Sequence, residues 1–302
     1  MTYELKRQHN GAFALFRRDL GETMHPQLGP REEARRVYVQ GARLEELLTP
    51  PGAAEVVVFD VGLGGAANAI AALSCRRALG RQGTAARPLR VVSFEQDLDA
   101  PRFALAHAQQ LDYLAGFDEA LAALMATGAW EDGEGLAWEL RVGDFTRWIQ
   151  EEPRRADVIF FDPFSPRSNP AMWSLPVLTG LYGCRRMASP TRLATYSSAL
   201  SVRAGLLLAG FYVGDGPALE GSRRATLAST DFSDLRAPLG PRWLARWRRD
   251  SDPWPSLTPA GQHRHLREAL LAHPQWSQFP EEAAKPIPPA RARTRPRKPR
   301  HS

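Results

Sequence analysis

The sequence predicts an α/β fold: a mostly parallel sheet with helices on both faces, closed by a terminal antiparallel hairpin. Three observations predict it. Between residues 54 and 230, short apolar runs alternate with helix-length patterns, the rhythm of βαβ units. A glycine-rich loop, FDVGLGGAANAI, follows the first of these runs and opens a helix. Acidic residues then recur where successive strands end, at Glu95, Asp144 and Asp162.

The elements follow in order. Residues 1–50 are polar and turn-rich, with an amphipathic segment at PREEARRVYVQGARLEELL, and read as an N-terminal extension suited to a substrate or lid role. Strands are expected at 55–61, 89–95, 136–142, 156–162, 192–197, 211–216 and 223–230. Helical patterns fill 66–80, 99–126 (broken at Gly116), 144–151, 174–188 and 199–209. The first five strands are joined through helices, and the last two by a short loop containing Gly and Pro. That is the Rossmann-like seven-stranded sheet of class I methyltransferases, whereas a dinucleotide-binding domain more often has six parallel strands. Residues 51–232 therefore read as the core. Residues 233–302 form a basic tail rich in Trp, Arg and Pro, with short helices at RWLARWRR and QHRHLREALLAH and disorder expected from about 285.

Bulk properties exclude several classes. The chain has 302 residues, 43% of them hydrophobic, enough for one large domain with appendages. No apolar run approaches the length of a membrane span, and MTYELKRQHNGAF lacks the apolar stretch of a secretory leader, so a cytoplasmic protein is expected. Cys75 and Cys184 lie far apart without ligand spacing and read as buried thiols. The seven histidines are scattered, and no metal site is expected. The net charge of +6 belongs to the tail: residues 241–302 hold 13 Lys and Arg against 5 Asp and Glu, leaving −2 for the rest. An acidic core suits a cationic ligand such as a sulfonium.

The loop and the acids define a candidate site. After Asp60, Gly62 and Gly64 permit a sharp turn and close approach to a ligand at a helix start. The loop also fits G-x-G-x-x-A, ending at Ala67, which keeps a dinucleotide open. Glu95 lies 33 residues beyond Gly62, longer than the spacing of about 20 in a dinucleotide fold, and is suited to accept from two ribose hydroxyls. Asp144 could read an adenine amino group, or simply cap the helix that follows. Asp162 ends a buried run in ADVIFFDPFSPRSNP, where it either opens a turn or faces a ligand. In the tail, Arg242, Arg246, Arg248 and Arg249 interleave with Trp243 and Trp247, a pattern that fits nucleic-acid phosphates or a solvated face.

The stretch DPFSPRSNPAMW resembles the MnmC-type tRNA wobble-uridine methyltransferases, whose motif is roughly D-x-F-x-P-x-x-N-P-x-x-W. Asp162, Phe164, Pro166, Asn169, Pro170 and Trp173 fit it. So do Leu193 to Tyr196, then Val202, Arg203, Ala209, Gly210 and Phe211, and upstream EEARRVYVQG. The resemblance covers about residues 20–230. Ser168 stands where the family usually has Lys, and Ala66 where glycine is commoner.

The resemblance implies methylation of the primary amine of an aminomethyl group on the tRNA wobble uridine, with S-adenosylmethionine as cofactor. It implies a stand-alone methyltransferase without the FAD domain that some family members carry. Asp162 would orient the amine and take its proton; Asp60, Gly62, Gly64, Glu95, Asp144 and Asp162 would hold the cofactor. Phe164, Arg167, Trp173, Arg223 and Arg224 would meet the anticodon stem-loop. A small amine or another RNA as substrate, a dinucleotide oxidoreductase, and a non-catalytic binding module are the alternatives.

Overall fold

The structure is a computed structural model that describes residues 2–26, 28–50, 52–219 and 223–279. The chain starts with three short antiparallel strands, β1 (Tyr3–Arg7), β2 (Phe13–Arg17) and β3 (Glu22–Thr23). Next come α1 (Pro30–Glu33), a π-helical stretch (Ala34–Gln40) and α2 (Leu44–Leu48). The alternating core runs β4 (Val56–Val61), α3 (Ala67–Arg81), β5 (Leu89–Glu95), α4 (Asp99–Ala106), α5 (Asp118–Thr127), β6 (Ala129–Glu131), β7 (Leu136–Val142) and α6 (Phe145–Glu151). It continues through β8 (Val158–Phe161), α7 (Leu175–Gly183), β9 (Arg192–Thr195), α8 (Leu200–Ala209), β10 (Tyr212–Ala218) and β11 (Arg224–Ser229). Helices α9 (Pro241–Trp247) and α10 (His263–Leu271) follow.

The main sheet has the order β10-β11-β9-β8-β4-β5-β7-β6. Strands β7, β5, β4, β8 and β9 are mutually parallel, and β11 runs antiparallel between β9 and β10. The seven expected strands are all present, with an eighth, three-residue strand on the β7 edge. Chain order reverses direction at β4, with β5 on one side and β8 on the other, and a ligand site belongs outside the carboxyl ends of such strands.

Period-two alternation divides the core between the two faces of the sheet. In VVVFDV, Val56 and Val58 pack toward α3, while Val57, Phe59 and Val61 pack toward α7 and α8. Both flanking segments extend this core. Tyr3, Leu15 and Tyr38 are buried on the first face, so residues 2–50 are not merely a polar extension. On the second face Trp243, Trp247, Leu266 and Leu270 are buried, which makes residues 241–279 part of the folded unit. Expected disorder from about 285 falls outside the described residues. Among them, no helix is long and apolar enough to cross a membrane, and no cluster of His, Cys, Asp and Glu could hold a metal. Cys75 and Cys184 are free thiols, each pushed up to about 11 by burial.

Candidate active site

A cavity of about 680 Å³ opens at the carboxyl ends of β4, β5 and β8 and is roofed by the N-terminal segment. The loop after β4 forms its floor. Gly62 has φ +92°, and a Cβ there would sit 2.7 Å from the Asp162 carbonyl oxygen, so the β4 and β8 ends meet only because this residue is glycine. Gly64 is also left-handed, at φ +51°. The Gly62 and Leu63 N–H groups both donate to the Phe94 carbonyl, at 3.0 and 3.2 Å, tying the loop to β5.

Glu95 holds that loop from the end of β5. Its Oε2 accepts from the Gly64 N–H at 2.7 Å and its Oε1 from the Gln96 N–H at 2.8 Å. Burial raises this carboxyl, and the two backbone donors oppose the rise. A carboxylate has about four lone-pair sites, so each oxygen keeps acceptor capacity toward the cavity. Asp144 lines the same end and caps α6, its Oδ1 accepting from the Thr146 N–H at 2.8 Å. The cap and the cavity wall are therefore one residue.

Asp162 stands at the other end. Its Oδ2 accepts from Asn68 Nδ2 at 2.7 Å, and His25 Nε2 lies 3.8 Å away. Burial pushes this carboxyl up to about 6, with the His25 charge, the Tyr38 hydroxyl and Asn68 pulling it back. His25 is itself half-buried, with Glu33 Oε1 3.4 Å from its Nδ1. Burial alone would lower the imidazole, but Glu33 and Asp162 outweigh it and raise it. The Tyr196 hydroxyl donates to the Pro163 carbonyl at 3.1 Å and fixes the turn after Asp162. Sequence patterning missed His25, although Glu33 and Tyr38 lie within the EEARRVYVQG match.

The N-terminal segment also clasps the loop beyond Asp162. Glu22 accepts from the Ser165 N–H at 3.2 Å, from Ser165 Oγ at 2.5 Å and from the Ser168 hydroxyl. Burial would raise Glu22, but the two serines and the Arg167 charge hold it below the usual carboxylate range. Ser168, where a lysine is usual, thus serves the clasp.

A family model described as S-adenosyl-L-methionine-dependent methyltransferase matches residues 121–231. The chain is similar to the tRNA 5-methylaminomethyl-2-thiouridine biosynthesis bifunctional protein MnmC of Delftia acidovorans, 28% identical over 244 residues, which cover 79% of this chain and 35% of that protein. The protein of the same name from Paracidovorax citrulli is 36% identical over 118 residues, covering 39% of this chain and 17% of its own. The crystal structure of MNMC2 from Aquifex aeolicus superimposes with a TM-score of 0.68 at 24% identity, covering 90% of this chain and 83% of that one. The chain is thus similar, over part of its length, to the MnmC-type methyltransferases. It spans about a third or less of the length of these curated MnmC relatives.

The cofactor of this family is S-adenosyl-L-methionine, and the residues fit it. Gly62 and Gly64 give a left-handed turn packed closely against Asp162 and Met24 at the cavity edge, and Glu95, pinned by the Gly64 N–H, lines the cavity with acceptor capacity left for hydroxyl groups. Gly62, Gly64, Glu95, Asp144, Asp162 and Phe164 all line the cavity.

Other expected site residues lie elsewhere. Asp60 is fully buried in β4, where its Oδ2 accepts from Ser93 Oγ at 2.7 Å, so it sits beneath the cavity rather than in its wall. Alternation explains this: Asp60 shares the Val56–Val58 face. Trp173 is also fully buried, its ring 5.0 Å from Phe161 and its Nε1 donating to the Phe164 carbonyl at 2.8 Å, so it cannot stack on a substrate. It shapes the loop that carries Phe164. Arg167 is exposed outside the cavity, and Arg223 and Arg224 are exposed at the start of β11. Trp243 and Trp247 are core residues, which leaves only the exposed Arg242, Arg246, Arg248 and Arg249 of that pattern for a partner.

Proposed function

We propose that this chain is an S-adenosylmethionine-dependent N-methyltransferase that acts on the aminomethyl group of a modified wobble uridine in tRNA, in the cytoplasm. One observation carries the reading: a single cavity has a backbone-pinned carboxylate, Glu95, at one end and a half-buried acid held only by side chains, Asp162, at the other. The relatives' name, biosynthesis of a tRNA methylaminomethyl uridine, supplies the substrate class.

A primary alkylamine arrives largely protonated, and an ammonium has no lone pair. Asp162 accepts that proton and orients the freed nitrogen. S-adenosylmethionine supplies an electrophilic methyl group, so that a C–N bond forms as the C–S bond breaks and sulfur keeps the electron pair. Burial around Asp162 excludes water and holds the nitrogen in a near-attack geometry. Glu95, with the Gly62–Gly64 turn, would hold the ribose of the cofactor, and Asp144 would meet its adenine. Phe164, which carries the Arg17 guanidinium 5.3 Å from its ring, offers a face to the uracil. Arg167, Arg223 and Arg224, with the α9 arginines, contact phosphates of the anticodon stem-loop.

The test is mass spectrometry of wobble nucleosides after the purified protein, S-adenosylmethionine and tRNA carrying the aminomethyl uridine are combined. One added methyl on that nucleoside is expected. An unmodified nucleoside, from protein that binds S-adenosylhomocysteine, would sink the substrate assignment.

A further inference from the structure

His25 reaches the cavity from the N-terminal segment, a region without strand-end acids or glycine loop. Its backbone is left-handed, at φ 53°, a conformation that costs a non-glycine residue about 1–2 kcal/mol. The surroundings maintain it: Gln8 Nε2 donates to the His25 carbonyl at 2.8 Å. The outcome is an imidazole set between two acids, Glu33 Oε1 at 3.4 Å from Nδ1 and Asp162 Oδ2 at 3.8 Å from Nε2. Strain kept at a site lining a ligand cavity points to a role for the side chain it aims.

We propose that His25 is the positioning residue for methyl transfer: set beside Glu33, it supplies the cation that keeps the half-buried Asp162 a carboxylate. This rests on the amine-methylation reading above. An acid in the protonated form cannot take a proton from an ammonium. In the step itself the ammonium N–H bond breaks, its proton moves to Asp162, and the electron pair stays on nitrogen. His25 keeps its own proton throughout.

The electrostatics agree with the geometry. Asp162 is pushed up by burial and pulled back first by the His25 charge. His25 is lowered by burial but carried above its ordinary value by Glu33, Asp162 and Asp60. The remaining titratable groups here are the phenols of Tyr38 and Tyr196, both held well above their usual range by burial and therefore neutral. The pairing thus consists of one cation between acids, with neutral hydroxyls beside it.

Two measurements test this. The first is histidine ring NMR on the full chain, with the His25 resonance assigned by its loss in His25→Gln. Its midpoint should lie above the ordinary value of about 6.5 and fall by about one pH unit in Asp162→Asn. A midpoint that Asp162→Asn leaves in place would overturn the pairing. The second is the pH profile of kcat/KM. His25→Gln should move the acidic limb upward by about one unit, a roughly tenfold loss below the limb that shrinks above it. S-adenosylhomocysteine affinity should stay unchanged. An equal loss at every pH would assign His25 a structural role only. If wild-type protein methylates no tRNA, the functional reading fails, while the NMR midpoint still decides the pairing. Should His25→Gln not fold, the Asp162→Asn titration decides it, with the resonance assigned by elimination among the seven histidines.

Discussion

The two ends of the cavity hold acids in different ways. At the Glu95 end the partners are backbone N–H groups of Gly64 and Gln96, at 2.7 and 2.8 Å. At the Asp162 end they are side chains, Asn68 and His25, brought from α3 and from the N-terminal segment. Backbone donors fix a carboxylate without themselves changing charge, which suits an anchor for a neutral group such as a ribose. Side-chain partners that titrate tie the acid to proton transfer. The difference separates holding from reacting.

The largest expected effect tests the reacting end. Asp162→Asn keeps the shape and an acceptor but removes the base, and should slow methyl transfer by about 10²–10⁴-fold. S-adenosylhomocysteine affinity should change little by calorimetry. Because Asp162 must be ionised and is pushed up to about 6, wild-type activity should rise with pH through that value. Asn, which does not titrate, should lose this limb. A variant as active as wild type near pH 7 would make Asp162 a turn residue.

Glu95→Ala tests the holding end. It removes both ribose acceptors and the anchor of the Gly64 N–H, so binding of S-adenosylhomocysteine should weaken by about 1–3 kcal/mol. With saturating cofactor, most of the rate should return. If the rate constant fell as far as in Asp162→Asn, the two ends would not be separable.

Beneath both ends lies Asp60, pushed up to about 8 by burial in β4 against its Ser93 bond. An acid whose folded pKa exceeds the unfolded value of about 3.9 binds its proton more tightly when folded. Its contribution is therefore favourable at low pH and is lost as pH rises from about 4 through about 8. Asp60→Asn keeps an acceptor for Ser93 and cannot ionise. The melting temperature of wild type should fall more between pH 6 and pH 9 than that of the variant. Parallel curves would show that Asp60 is already ionised in the folded protein across that range, with no raised pKa.

How much of this was legible in the sequence follows the same division. The seven main strands and the Glu95 end could be read because they rest on local order: period-two apolar runs, a glycine turn, an acid at a strand end. Asp162 was legible for the same reason. His25 and Tyr38 beside it, and Glu33 behind His25, were not, because they come from a segment placed over the β8 end by tertiary packing. The strands of that segment were missed too, though Tyr3 and Leu5 alternate with Glu4 and Lys6. Trp173, Trp243 and Trp247 show the opposite error. An aromatic beside arginines or within a site motif resembles a stacking platform, but burial decides, and all three belong to the core.

The smallest expected effect sits in the glycine loop. Ala66 has φ 70° and ψ 12°, the left-handed region, with its N–H donating to the Leu63 carbonyl at 2.7 Å. Glycine there would relieve strain of about 1–2 kcal/mol. It would also lose about 0.5–1 kcal/mol to greater freedom of the unfolded chain. Ala66 is fully buried, so its methyl contributes about a further 0.8 kcal/mol. These terms nearly cancel, which explains how alanine is accommodated where glycine is commoner in the family. Ala66→Gly should therefore stay within about 1 kcal/mol of wild type by denaturant unfolding, with cofactor affinity unchanged. A gain above about 2 kcal/mol would mean the methyl packs poorly and the loop is held under strain. A loss of that size would mean the methyl, rather than the turn, sets the geometry of the holding end.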